Sequence, residues 1–325
     1  MYTYTRTPLR VSFGGGGTDI PSYYLQGEGA VISTTINKYV EVVVFDRETD
    51  FPFPIADWSF ISSESNDIVS ACSKYLSFFG DILVASRSDI RHSSGLGSSG
   101  AFIVGLLKAY YDHFNKNIDR VSLAEEAFHI ESELLNNPIG KQDHYSASIG
   151  GLNAYNFRSD NSVAFRQIEI EAVKRDDLFD CLSLYWTGLT RRASTILSEQ
   201  MSRHMVNVSA LDLIRSDALA VVSELESNSC IEDLGRRLHS NWLRKKTLAS
   251  TITNPIIDQM YDAAVMAGAY GGKLCGAGGG GFLLIAEHPN HRSNIRKALE
   301  GFCCIPLGYE PSGTQVIRSS RMSLG

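Results

Sequence analysis

The chain lacks the features that mark membrane proteins and nucleic-acid-binding proteins. No apolar run reaches the roughly 18 residues that a membrane-spanning helix needs, and the first six residues lack the apolar core of a signal peptide. The net charge of −6 provides no broad basic surface for a polyanion such as nucleic acid. These absences predict a cytoplasmic protein that binds neither membranes nor nucleic acids.

Patterns typical of disulfide-rich domains and zinc sites are also absent. The six cysteines are scattered and include no C-x-x-C pair, and the eight histidines include no H-x-x-x-H pair. We therefore expect reduced, mostly buried thiols and no transition-metal site. With 43% hydrophobic residues and only nine prolines, the composition is that of an ordinary globular protein.

The length of 325 residues exceeds the usual size of one compact core, so two lobes with a cleft between them are expected. We place the boundary near residue 180, which gives lobes of residues 1–180 and 181–325. Strand patterns occur at residues 9–13, 30–36, 39–45, 82–85, 182–186, 281–286 and 303–307. Helical patterns occur at residues 66–80, 98–114, 122–135, 191–205, 209–226 and 255–268.

Three glycine-rich segments interrupt these patterns, at residues 14–17, 93–100 and 276–281. The middle segment runs directly into an apolar helical stretch. Since the first amides of a helix lack intrahelical acceptors and the helix dipole favours negative charge there, this segment predicts a phosphate site. Its serine hydroxyls are also suitable ligands for Mg²⁺. Helix capping would account for one serine, but not for four serines together with the glycines at positions 95 and 97.

Other nucleotide-binding loops fit less well. Residues 95–100 satisfy the dinucleotide-binding pattern G-x-G-x-x-G, but polar residues separate them from the preceding strand and a second helix follows the first. Residues 268–274 have the wrong spacing for a Walker loop, and no H-R-D or D-F-G triplet of a protein kinase occurs. A phosphate loop of another class remains.

The three segments resemble motifs one, two and three of the GHMP kinases, a family named for galactokinase, homoserine kinase, mevalonate kinase and phosphomevalonate kinase. The matching residues are 8–24, 95–99 and 273–282. The Gly-Gly-Gly-Thr-Asp run of motif one, together with residues 138–145, is most similar to family members that act on D-glycero-D-manno-heptose 7-phosphate. Fucokinase-like members come next. Galactokinases have Gly-Glu-His-Thr-Asp in motif one, which makes galactose a weaker expectation.

The resemblance implies an α+β, two-lobed GHMP kinase fold with a ribosomal-S5-like N-terminal lobe and a ferredoxin-like C-terminal lobe. It implies ATP and Mg²⁺ as cofactors and phosphorylation of the anomeric hydroxyl of heptose 7-phosphate to the 1,7-bisphosphate, toward GDP-heptose for capsule or other surface polysaccharide. Two alternatives stay open: a fucokinase-like kinase of an unphosphorylated sugar, and a non-catalytic sugar or nucleotide sensor on the same fold. A homodimer is compatible with the chain.

Catalytic and metal-binding roles also follow from the resemblance. Asp143, expected in a loop, would orient the sugar hydroxyl and accept its proton, and Arg10 would help to bind the transferring phosphate. Glu131, with Glu133 as a rival, would hold Mg²⁺ together with Ser98 or Ser99. From the residues alone, Asp143 is equally compatible with a turn and Glu131 with a solvated helix position.

The remaining expected site residues fall into two groups. The phosphate-binding group consists of Ser94, Gly95, Leu96, Gly97, Ser98 and Ser99. The sugar-binding group consists of Asp19, Tyr24, Gly188, Arg191, Lys273 and Gly278. Arg191, Arg192 and Lys273 are the candidates for binding the distal phosphate of the sugar. For Arg10 and Asp19, surface ion pairs are the alternative interpretation.

Overall fold

The computed structural model describes residues 1–62, 66–78, 81–190, 193–227 and 230–320. Their strands are β1 (Tyr2–Gly14), β2 (Glu28–Asp46), β3 (Ser59–Ile61), β4 (Ile82–Ser88), β5 (Leu152–Arg158), β6 (Val163–Gln167), β7 (Leu182–Trp186), β8 (Ala269–Leu274), β9 (Phe282–Glu287), β10 (Cys304–Pro306) and β11 (Gln315–Ser320).

The helices are α1 (Pro21–Tyr24), α2 (Asp67–Tyr75), α3 (Ser98–His113), α4 (Arg120–His129), α5 (Gln142–Ile149), α6 (Ala172–Asp180), α7 (Ala193–Ser202), α8 (His204–Glu226), α9 (Ile231–Thr247), α10 (Pro255–Met266) and α11 (Arg292–Ala298). Short 3₁₀ turns lie at Ile55–Asp57 and Pro289–His291, and α4 continues into a π-helical turn at Ile130–Leu134. In this part of the chain no helix combines the length and apolar character needed to cross a bilayer.

The larger sheet is antiparallel and has the strand order β11-β1-β2-β4-β3, with β5 beside β2 and β6 beside β5. Strand β2 spans 19 residues and serves two partners, because its first half pairs with β5 and its second half with β4. The two strands predicted at 30–36 and 39–45 are therefore one strand. Helix α3 packs across β1 and β2, and its apolar residues join the main core.

The smaller sheet is antiparallel with the order β10-β7-β9-β8, and helix α9 packs on β8. Helix α8 packs on α9 and also on β1 and β2 of the larger sheet, so it connects the two layers. Strand β11 returns from the C-terminal end of the chain to pair with β1. The lobe boundary near residue 180 stays a prediction. Strand β11, although it is the last strand along the chain, belongs to the larger sheet.

Several elements were not expected from the sequence. Helix α9, with a narrow apolar stripe among many charged residues, was not predicted, and neither were strands β5, β6, β8 and β11. The prediction of mostly buried thiols is wrong. Only Cys72 and Cys275 are buried, whereas Cys230 and Cys303 are exposed.

Candidate active site

The phosphate loop (residues 93–97) is attached to two strands through its carbonyl groups. The amide of Arg10 on β1 donates to the Leu96 carbonyl at 3.0 Å, and the amide of Phe282 on β9 donates to the Ser94 carbonyl at 3.0 Å. The Arg10 guanidinium donates to the intervening carbonyl, that of Gly95, at 2.7 Å. The loop then enters α3, whose first amides have no acceptor within the helix and suit a phosphate.

Two glycines of the phosphate loop have backbone angles that other residues rarely adopt. The φ angles of Gly95 and Gly97 are 81° and 78°, which glycine adopts without strain. A Cβ atom on Gly95 would lie 2.5 Å from the Cys275 carbonyl oxygen, and one on Gly97 would lie 3.4 Å from the Asp143 carboxyl carbon. The loop therefore touches the third glycine segment on one side and the predicted catalytic aspartate on the other.

Arg10 and Asp143 form an ion pair in the cleft. Nε of Arg10 donates to Oδ1 of Asp143 at 2.8 Å, and Nη2 lies 2.6 Å from the same oxygen. Arg10 is only 4% exposed, whereas the Asp143 side chain is 29% exposed. Because both contacts use Oδ1, Oδ2 has no partner in the described part of the chain. This oxygen is available to accept a hydrogen bond from a bound hydroxyl group.

Asp143 lies in the first turn of helix α5. The prediction that it lies in a loop is wrong. Lys141, directly before α5, anchors the start of the helix and is fully buried. Its Nζ donates to both Glu125 carboxylate oxygens, at 2.8 and 2.9 Å, and to the Asn161 carbonyl at 2.9 Å. On the other side, a Cβ atom on Gly100 of α3 would lie 2.9 Å from the Asp143 Cβ. Close packing of α5 against α3 thus positions the carboxylate.

Asp19 is a buried carboxylate that lines the same cavity as the partly exposed Asp143. It is 2% exposed and accepts hydrogen bonds from the amides of Gly17 at 3.1 Å and Gln142 at 3.2 Å. Burial raises the pKa of Asp19, and the negative charge of Asp143 raises it further. A Cβ atom on Gly140 would lie 2.0 Å from Oδ2 of Asp19, so this approach requires glycine.

Ser99 and Glu131 supply oxygen ligands suitable for Mg²⁺. The Ser99 hydroxyl donates to Oε1 of Glu131 at 2.6 Å, and Nε2 of His144 lies 2.7 Å from Oε2. Glu131 is buried, whereas its rival Glu133 is exposed. Mg²⁺ in kinases is commonly held by one or two carboxylates and substrate phosphates, and the residue types present fit such binding. Within the described ranges no cluster of three or more His, Cys, Asp or Glu side chains is suited to a metal.

Two buried lysines lie behind the glycine segments. Lys273 on β8 is 1% exposed, and its Nζ donates to the Ser12 hydroxyl at 3.1 Å. Lys245 in the last turn of α9 is 5% exposed, and its Nζ donates to the Gly276 carbonyl. Burial lowers the pKa of Lys273 to about 7 and that of Lys245 to about 8, because removal from water penalises the charged form.

These groups surround a cavity of about 300 Å³. The predicted site residues that line it are Arg10, Asp19, Gly95, Gly97, Ser98, Ser99, Glu131 and Asp143. The structure thus brings together residues from motifs one and two and from the helix after Pro138. A second cavity of about 290 Å³, between α6 and the ends of α8 and α9, contains no predicted site residue.

Several other predicted site residues do not line the cavity that contains Asp143 and Asp19. Ser94 and Leu96 are fully buried, and Tyr24 packs in a separate apolar cluster, where its hydroxyl donates to the Asn161 side chain at 2.6 Å. Gly188 is exposed, Gly278 packs against Ile252, and Lys273 lies behind Ser12, which does line the cavity. Arg191 and Arg192 lie outside the described residues. The sugar-binding roles of this group stay predictions.

Sequence reasoning missed the cavity residues Gln142, His144, Gln200 and Lys245. A signal for Lys245 was present in the sequence. Leu234, Leu238, Trp242 and Lys245 follow a helical period, so a lysine occupies the buried stripe of α9. Since lysine is almost never fully buried unless paired, its place on an apolar stripe could have marked it as unusual.

Comparisons with known proteins agree with this geometry. The model for the GHMP kinases N terminal domain matches residues 66–151, and the model for the GHMP kinases C terminal domain matches residues 221–303. A D-glycero-alpha-D-manno-heptose 7-phosphate kinase from Campylobacter jejuni is 30% identical over 91% of this chain and 92% of its own length. An L-fucokinase/L-fucose-1-P guanylyltransferase from Bacteroides fragilis is 28% identical over 90% of this chain but only 35% of its own length.

A solved structure of a D-glycero-D-manno-heptose 1-phosphate kinase from Bacteroides thetaiotaomicron matches with a TM-score of 0.78 and 20% identity, covering 99% of this chain and 100% of that chain. The predicted α+β, two-lobed fold is confirmed. Because the two domain models match in order and the 30% identical relative is matched over almost all of both chains, this chain belongs to the GHMP kinase family.

Proposed function

We propose that this ATP-dependent kinase phosphorylates the anomeric hydroxyl of D-glycero-D-manno-heptose 7-phosphate, giving the 1,7-bisphosphate. The observation that carries the proposal is the Arg10–Asp143 ion pair beside the N-terminus of α3, which leaves one Asp143 oxygen available in the cleft. The choice of sugar draws on the relative from Campylobacter jejuni, which is named as a heptose 7-phosphate kinase.

In this proposal the residues divide the work of phosphoryl transfer. The amides at the start of α3 bind the nucleotide phosphates, and Ser99 and Glu131 would hold Mg²⁺, which would neutralise phosphate charge. Asp143 Oδ2 accepts a hydrogen bond from the sugar hydroxyl and then its proton, as the sugar oxygen bonds to the γ-phosphorus of ATP and the bond from that phosphorus to the β–γ bridging oxygen breaks to release ADP. Arg10, which fixes Oδ1, offers positive charge where the phosphoryl group is transferred.

Asp19 is the proposed ligand of the sugar hydroxyls next to the reacting one. Its carboxylate is held rigidly by two backbone amides and lines the same cavity as Asp143. A fixed acceptor of this kind aligns the ring so that one hydroxyl meets Asp143. For the distal phosphate, Lys273 behind Ser12 is a candidate, together with Arg191 and Arg192. Synthesis of GDP-heptose for surface polysaccharide, a cytoplasmic location and a homodimer belong to the same proposal.

A fucokinase-like activity on an unphosphorylated sugar is the second candidate, since the Bacteroides fragilis relative is matched over 90% of this chain. Incubation of the protein with ATP, Mg²⁺ and a panel of hexoses, heptoses and their phosphates, followed by mass spectrometry, separates the two. Turnover of heptose 7-phosphate at least tenfold above unphosphorylated sugars supports the proposal. Preferential turnover of fucose supports the alternative.

The same assay on Asp143→Asn tests the mechanism. Asparagine keeps the size of the side chain but cannot take up the proton, so we expect turnover to fall by about 10²-fold or more, with nucleotide binding retained. Equal turnover by the variant and the parent contradicts the role of Asp143. ATP and sugar binding without any turnover by the parent would instead support the sensor alternative.

A further inference from the structure

Lys245 places a buried positive charge in the wall of the cleft. It extends from the last turn of α9 into the cavity that contains Asp143 and Asp19. Its Nζ donates to the carbonyl of Gly276, a neutral group. No carboxylate forms an ion pair with Lys245 in the ranges that the structure describes. Burial of an ammonium group without a counter-ion costs free energy, so a buried cation in a ligand cleft indicates an anionic ligand.

The carboxylates of the cleft already have other partners. Asp143 is paired with Arg10, and Glu131 contacts Ser99 and His144. Asp19 accepts from two backbone amides. Lys245 also lies within electrostatic range of Arg10, Asp19 and Asp143, and repulsion from Lys245 further lowers the pKa of Lys273. In the described ranges none of these carboxylates is in direct contact with Lys245, whose ammonium group donates only to the neutral Gly276 carbonyl.

Short contacts connect Lys245 to the point of phosphoryl transfer. The carbonyl that it binds belongs to Gly276, and a Cβ atom on Gly276 would lie 2.5 Å from the Cα of Gly95 in the phosphate loop. The Gly95 carbonyl in turn accepts from Arg10, which holds Asp143. Lys245 on α9 thus lies next to the phosphate loop through Gly276, whereas Asp143 is carried by α5 and Glu131 by the π-helical turn after α4.

We propose that Lys245 binds a phosphate group in the cleft and acts there as a ligand of the substrates, in addition to the residues of the three glycine motifs. The inference rests on the proposed kinase function. Two phosphates qualify chemically: the terminal phosphate of the nucleotide and the phosphate already carried by the sugar. Proximity to Gly95 and Arg10 favours the terminal phosphate of the nucleotide, which an ammonium group would stabilise while it is transferred.

Binding measurements on Lys245→Met test the proposal without relying on turnover. The matched control is Lys246→Met, which removes the neighbouring lysine of α9, whose Nζ contacts Asp258 at 3.2 Å and which does not line the cavity. Calorimetry should compare a non-hydrolysable ATP analogue with ADP, and heptose 7-phosphate with the unphosphorylated heptose. Loss of a charged hydrogen-bond partner should weaken the binding of the affected ligand about tenfold or more.

The ligand pairs identify the source of the phosphate. Weaker binding of the ATP analogue with unchanged binding of ADP assigns Lys245 to the terminal phosphate of the nucleotide. Weaker binding of heptose 7-phosphate with unchanged binding of the unphosphorylated heptose assigns it to the phosphate of the sugar. Lys245→Met values within twofold of the Lys246→Met values for all four ligands would overturn the proposal. A parent protein that binds the analogue but phosphorylates no sugar would refute the proposed function, while these comparisons would still test Lys245.

Thermal unfolding distinguishes a ligand role from a structural role. Because methionine removes an uncompensated buried charge, Lys245→Met should unfold at the same temperature as the parent or higher. Lys245→Gln is the second variant, since it keeps a donor for the Gly276 carbonyl and removes only the charge. Weakened binding in both variants without loss of thermal stability supports the proposal, and restored binding in Lys245→Gln contradicts it.

Discussion

Replacement of Arg10 by methionine should lower both stability and turnover, because this side chain connects the phosphate loop to Asp143. Its guanidinium donates to Asp143 through Nε and to the Gly95 carbonyl through Nη1, at 2.8 and 2.7 Å. Methionine fills part of the same volume but supplies no donor. The variant would leave a carboxylate and a carbonyl oxygen without their partner.

The burial of the two side chains sets the expected magnitude. Loss of one partner of a fully buried ion pair costs about 3–5 kcal/mol. Arg10 is 4% exposed, but the remaining Asp143 side chain is 29% exposed and can be partly hydrated. We therefore expect the free energy of unfolding to fall by about 3 kcal/mol, the lower end of that range. Loss of a cation at the transferring phosphate should lower kcat by about 10²-fold or more.

A double-mutant cycle measures the pairwise contribution. Arg10→Met, Asp143→Asn and the double variant should be unfolded in urea and followed by tryptophan fluorescence, with turnover measured on the folded proteins. The two single changes should be non-additive by about 1–3 kcal/mol, since the residues are in direct contact. Additivity within about 0.5 kcal/mol, together with unchanged turnover in Arg10→Met, would refute the ion pair as the element that positions Asp143.

Two further predictions concern the metal and the buried lysines. Ser99→Ala should raise the Mg²⁺ concentration needed for half-maximal turnover by about tenfold. Ser98→Ala should raise it less, because Ser99 is the serine that donates to Glu131. An equal increase in both variants would contradict the choice of Ser99 as the metal ligand. Lys273 has its pKa lowered to about 7 by burial, while the unfolded chain keeps this proton to about pH 10. The free energy of unfolding, measured in urea, should therefore rise by about 2 kcal/mol more in the parent than in Lys273→Met between pH 7 and 9. If the free energies of unfolding of the two proteins change in parallel with pH, the prediction is contradicted.

Local features of the site could be predicted from the sequence. The glycine segments and helix α3 depend on backbone requirements of neighbouring residues, such as the positive φ angles of Gly95 and Gly97 before a helix start. The motifs also carried the family resemblance, which the comparisons confirm. A similar local logic placed β1, β4, β7 and β9, whose apolar residues stand beside clear turn signals.

Contacts between distant residues could not be predicted. Helix α5 has few apolar residues, but six of its eight residues are buried by the elements around it, so its sequence resembled a loop. The charged face of α9 obscured a stripe that ends in Lys245. Strand β11 pairs with β1 at the opposite end of the chain, and no local pattern encodes that pairing.

By itself, the sequence determined that a glycine-rich segment precedes a helix able to bind phosphate, and that the chain resembles a kinase. Only the tertiary structure decided which charges meet. Arg10 and Asp143 are 133 positions apart and form their ion pair because β1 and α5 both pack against α3. Lys245 enters the same cleft because α9 packs on β8. Electrostatic interactions depend on distance and burial in space, and neither quantity can be read from the order of residues along a chain.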